Sequence, residues 1–180
     1  MRMEVDDPEL AAAAANGDAK AFSALLQRHY TRIFNLAFRL TGQQAEAEDL
    51  TQDICAALPA KLVHFEPRAK FTTWLYRVVV NAAHDRRRRA ASHARAADGW
   101  GDWEVARQAE IAEAKDQSGW LMRAMASLNT DLRDTLALVL DDVSQAEAAE
   151  VLGVSPGTIA WRVSEAKKRL RALKEQEDAS

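Results

Sequence analysis

The stretch FTTWLYRVVVNAAHDRRRR, residues 71–89, interleaves Phe71, Trp74 and Tyr76 with Arg77 and the run Arg86–Arg89. Aromatic faces stack on bases and guanidinium groups pair with phosphates, so such a surface suits single-stranded nucleic acid. A second basic stretch, AWRVSEAKKRLRALK (residues 160–174), carries six cations against Glu165 alone. Upstream, AEAEDLTQDI (residues 45–54) is acidic, and Asp49, Gln52 and Asp53 share one helical face because they lie three and four apart. These residue types bind; they do not make or break bonds. No Gly-rich phosphate loop, pair of catalytic carboxylates or Cys/His ligand cluster accompanies them, so neither an enzyme nor a metal site is expected. No cofactor and no small-molecule substrate is implied.

Charge is segregated along the chain. Its 180 residues hold 24 Lys and Arg against 27 Asp and Glu, for a net charge of −3. Residues 61–95 nonetheless carry nine cations opposed only by Glu66 and Asp85. Residues 98–118 and 131–150 are strongly acidic. Two basic islands in an acidic chain suggest two surfaces for one polyanion. The lone cysteine, Cys55, excludes an internal disulfide. No run approaches the ~20 apolar residues of a membrane span, and the acidic start lacks a signal peptide's apolar core. A cytoplasmic protein without membrane insertion is the expectation.

The apolar pattern is helical nearly throughout. Phe22, Leu25, Leu26, His29, Ile33, Leu36, Ala37 and Leu40 repeat every three or four residues up to Gly42. A second helix begins near Ala45, with Leu50, Ile54, Leu58 and Leu62 on one face. Pro59 should kink it or end it near Leu58. Residues 64–70 read as a polar loop. A third helix runs from Phe71 to about Ala91, with Leu75, Val78, Val79 and Ala82 inward. From about Arg89 to Ser118 the chain reads as an acidic linker, in which Trp100 and Trp103 are unusual. Helices follow at Trp120–Leu128 and after Asn129 or Thr130, the latter with Leu132, Leu136, Val139 and Leu140 inward. No segment alternates with a period of two, so no sheet is expected.

The segment SQAEAAEVLGVSPGTIAWRVSEAKKRLRAL (residues 144–173) is the most specific. Ser144 and Glu147 make a capping box. Gly153 suits a tight turn, Ser155 caps the next helix and Pro156 fits its first turn. Ile159, Val163, Ala166 and Leu170 form the buried stripe of a helix-turn-helix. At ~100° per residue, Trp161, Glu165 and Lys168 lie opposite that stripe, flanked by Ala160 and Ser164. Lys167, Lys168, Arg169 and Arg171 are placed for phosphates, and Arg162 for phosphate or base.

FSALLQRHYTRIFNLAFRLTGQQAEAEDLTQDI, then FTTWLYRVVVNAAHDRRRR, then the helix-turn-helix ending GTIAWRVSEAKKRLR resemble the extracytoplasmic-function sigma factors of bacterial RNA polymerase. The matches cover most of residues 20–90 and 119–173, in the family's order. The resemblance implies an all-α chain of two small helical domains: an N-terminal bundle at 1–92, an acidic linker at 93–118 and a helix-turn-helix domain at 119–180. It implies that core polymerase is bound through Asp49, Leu50, Gln52 and Asp53. The unwound minus-ten strand would be held by Phe65, Lys70, Phe71, Trp74, Arg77, Asn81 and Arg86. The minus-thirty-five element would be read by Thr158, Ala160, Trp161, Arg162, Ser164, Glu165 and Lys168. Promoter recognition, DNA melting and control by an anti-sigma factor are the implied activities and partner. The sequence departs from the family at Ala160-Trp161, where a cation is common, at Asn129, where a proline is common, and at Pro59. Two other readings stay open: a sigma-like mimic that binds an anti-sigma factor without initiating transcription, and a dimeric helix-turn-helix repressor.

Overall fold

The computed structural model describes residues 5–96 and 117–179. These are helical, with no strand among them: α1 (Asp7–Ala15), α2 (Ala19–Thr41), α3 (Gln44–Leu62), α4 (Phe71–Ala96), α5 (Gln117–Ala126), α6 (Thr130–Val139), α7 (Gln145–Leu152) and α8 (Pro156–Asp178). Helices α1–α4 form one domain and α5–α8 a second. Trp100 and Trp103, and the linker's acidic residues, lie outside the described residues.

Helix α2 is the spine of the first domain, because its apolar stripe buries Leu25, Ile33, Leu36, Ala37 and Leu40 against α1, α3 and α4. Asp18 caps its start by accepting from the Lys20 and Ala21 N–H groups, and Gly42 ends it at φ 77°, as its position in the sequence suggests. Helix α1 is an element the periodicity does not announce. Residues 11–15 are all alanine, so no large side chain marks a face. Its start is marked: Asp6 accepts from Glu9 N–H at 2.9 Å, and Pro8 occupies the first turn.

Pro59 does not end α3, which runs on to Leu62. An interior proline costs about 3 kcal/mol. The buried side chains of Leu58 and Leu62 offset it, each contributing about 1.5–3 kcal/mol, while the Pro59 ring faces solvent. The inward stripe of α4 also differs from expectation. Leu75, Tyr76, Val79, Val80 and Ala83 are buried, while Val78 and Ala82 are only half-buried. The helix packs on two sides, against α2 and α3 and against α7, so its buried arc is wider than one stripe.

In the second domain Asn129, not Thr130, caps α6, accepting from Leu132 N–H at 3.0 Å. The capping box of α7 is complete, and Gly153 turns the chain at φ 66°. Ser155 accepts from Thr158 N–H, and Ile159, Val163 and Ala166 are buried. Helix α6 departs from the expected amphipathic pattern: every residue from Leu132 to Leu138 is buried, including Arg133 and Asp134. Leu140, expected inward, is 40% exposed as the C-cap. Arg133 donates to the Met125, Ala126 and Leu128 carbonyls and so closes the C-terminus of α5.

His29, on the buried face of α2, bonds through Nε2 to Asp7 of α1 at 2.7 Å and lies 5.1 Å from the Phe71 ring. Burial pushes its pKa below the ordinary value, and the hydrogen bond to Asp7 offsets this only in part. The unfolded chain therefore binds this proton more readily. Stability from His29 is present above its ordinary pKa of about 6.5 and is lost as pH falls toward the lower folded value. Thermal unfolding from about pH 7.5 to about pH 5.5 is expected to show a fall in midpoint that is shallower in His29→Gln.

Candidate nucleic-acid interface

Phe65 and Phe71, assigned to strand capture, are buried. With half-buried Trp74 they form an aromatic cluster at the start of α4: Phe65–Phe71 at 5.4 Å and nearly perpendicular, Phe65–Trp74 at 5.3 Å, Phe71–Trp74 at 5.6 Å. Such edge-to-face contacts lock ring orientation. Phe65 and Phe71 thus anchor the 64–70 loop to α4, and of the three rings Trp74 has the accessible face.

Lys70, Arg77 and His84 follow at intervals of seven residues, so they lie along one stripe leading down α4. Arg87 joins its lower end. Each member meets the second domain. Lys70 Nζ bonds Glu147, whose carboxylate also accepts from Ser144 N–H at the start of α7, and the Lys70 bond holds Glu147 below the usual carboxylate pKa. Arg77 donates to the Glu150 carbonyl at 2.9 Å. His84 and Arg87 both bond Asp134, whose side chain is 3% exposed. Beside the stripe, Tyr76 donates its hydroxyl to Asp141 at 2.6 Å, and Arg39 of α2 reaches the same carboxylate at 2.7 Å. Burial first, then the bond to Asp141, pushes the Tyr76 phenol far above its ordinary pKa. Asn81 is exposed and lines a cleft with His84, Asp85, Arg87, Arg88 and Thr130.

Arg86 stands apart from the other residues assigned to strand capture. It reaches Asp49 and Asp53 of α3, both at 3.3 Å. Asp49, Gln52 and Asp53 are exposed on one ridge, as their spacing requires, but Leu50 is buried beneath it. Leu50 therefore supports the ridge and does not present a surface.

On α8, Trp161 is 63% exposed, and Ala160, Ser164 and Lys168 are exposed beside it. Arg162 is tied to Asp131 at 3.0 Å, and Glu165 accepts from Arg169 at 2.9 Å. Thr158 is half-buried next to the Ser155 cap, with the two hydroxyls 2.9 Å apart. The spacing of the sequence leads to the α8 face; it gives no hint that Asp134 and Asp141 would cross to the first domain.

Residues 25–93 match the family model of Sigma-70 region 2, and residues 118–170 that of Sigma-70 region 4. The chain is 36% identical to the ECF RNA polymerase sigma factor SigM of Mycobacterium tuberculosis, over 96% of this chain and 86% of that protein. The chain belongs to the extracytoplasmic-function sigma factors of bacterial RNA polymerase. It is 30% identical to the RNA polymerase sigma factor CnrH of Cupriavidus metallidurans, over 96% of each chain. The solved structure of CnrH in complex with the cytosolic domain of CnrY superimposes with a TM-score of 0.68, over 94% of this chain and 97% of that one. The sigma factor RpoE of Bartonella quintana, solved with the anti-sigma factor NepR, shares the fold at a TM-score of 0.73 and 24% identity, over 87% of this chain and 98% of that one. As a sigma factor, this protein joins core polymerase and directs promoter recognition and opening.

The aromatic cluster separates scaffold from surface. Phe71→Ala is expected to destabilise the protein by about 3–5 kcal/mol. Half-buried Trp74→Ala should cost clearly less. Urea unfolding of the two variants checks the order.

Proposed function

We propose that this sigma factor holds a promoter at two places and contacts the polymerase at a third. Asp49, Gln52 and Asp53 present carboxylates and an amide to core polymerase, with Leu50 as the apolar support. Lys70, Trp74, Arg77 and Asn81 take the non-template strand of the minus-ten element, Trp74 by stacking and the cations by phosphate contacts. Phe65 and Phe71 shape that site from beneath, and Arg86 bridges it to the polymerase-binding ridge. The α8 face made by Thr158, Ala160, Trp161, Arg162, Ser164, Glu165 and Lys168 enters the major groove of the minus-thirty-five element. Trp161 there packs on a thymine methyl or sugar. Residues 1–92 and 119–180 act as the two functional units and 93–118 as the tether. The carrying observation is the exposed Trp161 on a capped recognition helix, on the same chain as the α4 stripe.

The mechanism is binding without bond chemistry, carried out in the cytoplasm. Extruding a base costs a few kcal/mol, which stacking and pocket contacts must offset. The likeness to CnrH and RpoE, each solved with a bound partner, supports an anti-sigma factor as the regulator.

Run-off transcription with core polymerase on the promoter of the protein's own operon is expected to need this protein. Trp161→Ala should lose discrimination at the minus-thirty-five element, by about 1–3 kcal/mol per affected base pair, while core binding stays unchanged in pull-down. Equal loss of both would refute the assignment.

A further inference from the structure

We propose that the first domain holds a binding site for a small phosphate ester with a planar, amine-bearing body, of the class of a nucleoside monophosphate. The site is a cavity of about 470 Å³ where the end of α2, the start of α3 and the second half of α4 meet. That volume lies in the range of about 300–1,000 Å³ that encloses small organic ligands. Arg86, Arg87 and Arg89 line it together with Leu40, Ala83 and Glu46. Three cations thus surround apolar surface, with a single carboxylate among them. The aromatic cluster lies toward the other end of α4, and the site needs none of the promoter contacts proposed above.

The donors around the cavity are under-used. The Arg89 side chain is exposed and has no ion pair or hydrogen bond among the described residues. Arg86 has two bonds of 3.3 Å, both to exposed carboxylates, Asp49 and Asp53. Arg87 gives Nη2 to Asp134, while its Nε and Nη1 are buried with no acceptor among the described residues. Unmatched donors of a buried guanidinium cost free energy that an acceptor recovers. Phosphate oxygens are among the acceptors a guanidinium matches best, and a turn of the Arg87 side chain about its outer bonds brings its free donors to a phosphate in the cavity. Glu46 is half-buried, and its side chain has no partner among the described residues. It accepts from an amine on the ligand and disfavours a bare polyanion. Buried Leu40 and Ala83, with half-buried Ala90, supply apolar surface for a planar body. Inorganic phosphate engages the arginines alone, and a nucleoside the apolar surface and Glu46 alone. The joined molecule engages both.

Calorimetric titration of the full chain with adenosine 5′-monophosphate at low salt tests this. The nucleotide is expected to bind one to one, about tenfold or more tightly than either inorganic phosphate or adenosine. Arg89→Gln should weaken it by about tenfold. Ala90→Phe, which fills the cavity and leaves every charge in place, should abolish it. Arg89→Gln alters an exposed side chain and keeps the test decisive if the phenylalanine disturbs packing; thermal unfolding of both variants monitors the fold. Binding of a fluorescent single-stranded oligonucleotide should be unchanged in Ala90→Phe, because the cavity is separate from the strand-binding surface. A monophosphate that binds no better than inorganic phosphate, or that binds Ala90→Phe as well as the parent chain, overturns the proposal. So does an oligonucleotide that loses affinity in Ala90→Phe while the monophosphate fails to bind, which would mark the cavity as a contact for nucleic acid.

Discussion

A carboxylate withdrawn from water sets the arrangement of the molecule. Asp134 lies on α6 among Leu132, Leu136 and Leu138, and its bonding partners, His84 and Arg87, belong to the other domain. A buried charge without partners costs several kcal/mol, so the packing of α4 on α6 depends on His84 and Arg87 meeting Asp134. Arg133, one residue earlier, turns the opposite way and closes α5. Neighbouring charges on one short helix thus hold together the second domain and its contact with the first.

That contact explains how an acidic protein can carry a strongly basic helix. Lys70, Arg77, His84 and Arg87 meet acceptors supplied from α6 and α7, while Arg86 turns to α3 and Arg88 to Asp85. Displayed alone, the stripe would attract any polyanion. The solvent face of α8 lies outside this contact, with Trp161 exposed.

The acidic ridge of α3 and the basic helix α4 meet at Arg86. Its bonds are long and exposed, so each contributes little to stability. Their effect is positional: they hold the guanidinium over the ridge. The aromatic cluster below supplies rigidity of another kind, fixing the 64–70 loop and the start of α4 through packed rings.

Helices α2 to α8, the caps at Ser144 and Ser155, the turns at Gly42 and Gly153 and the solvent face of α8 were legible in the sequence. They depend on 3.6-residue periodicity and on contacts within four residues. Helix α1 escaped because alanine carries no periodic signal, and the run through Pro59 escaped because its offset comes from leucines packed against distant helices. The burial of Phe65 and Phe71, the all-round enclosure of α6 and the pairing of α4 with Asp134 and Asp141 were decided by tertiary structure alone. Residues about 50 to 100 positions apart have no spacing to betray their contact; packing one helix face against another brings their charges together.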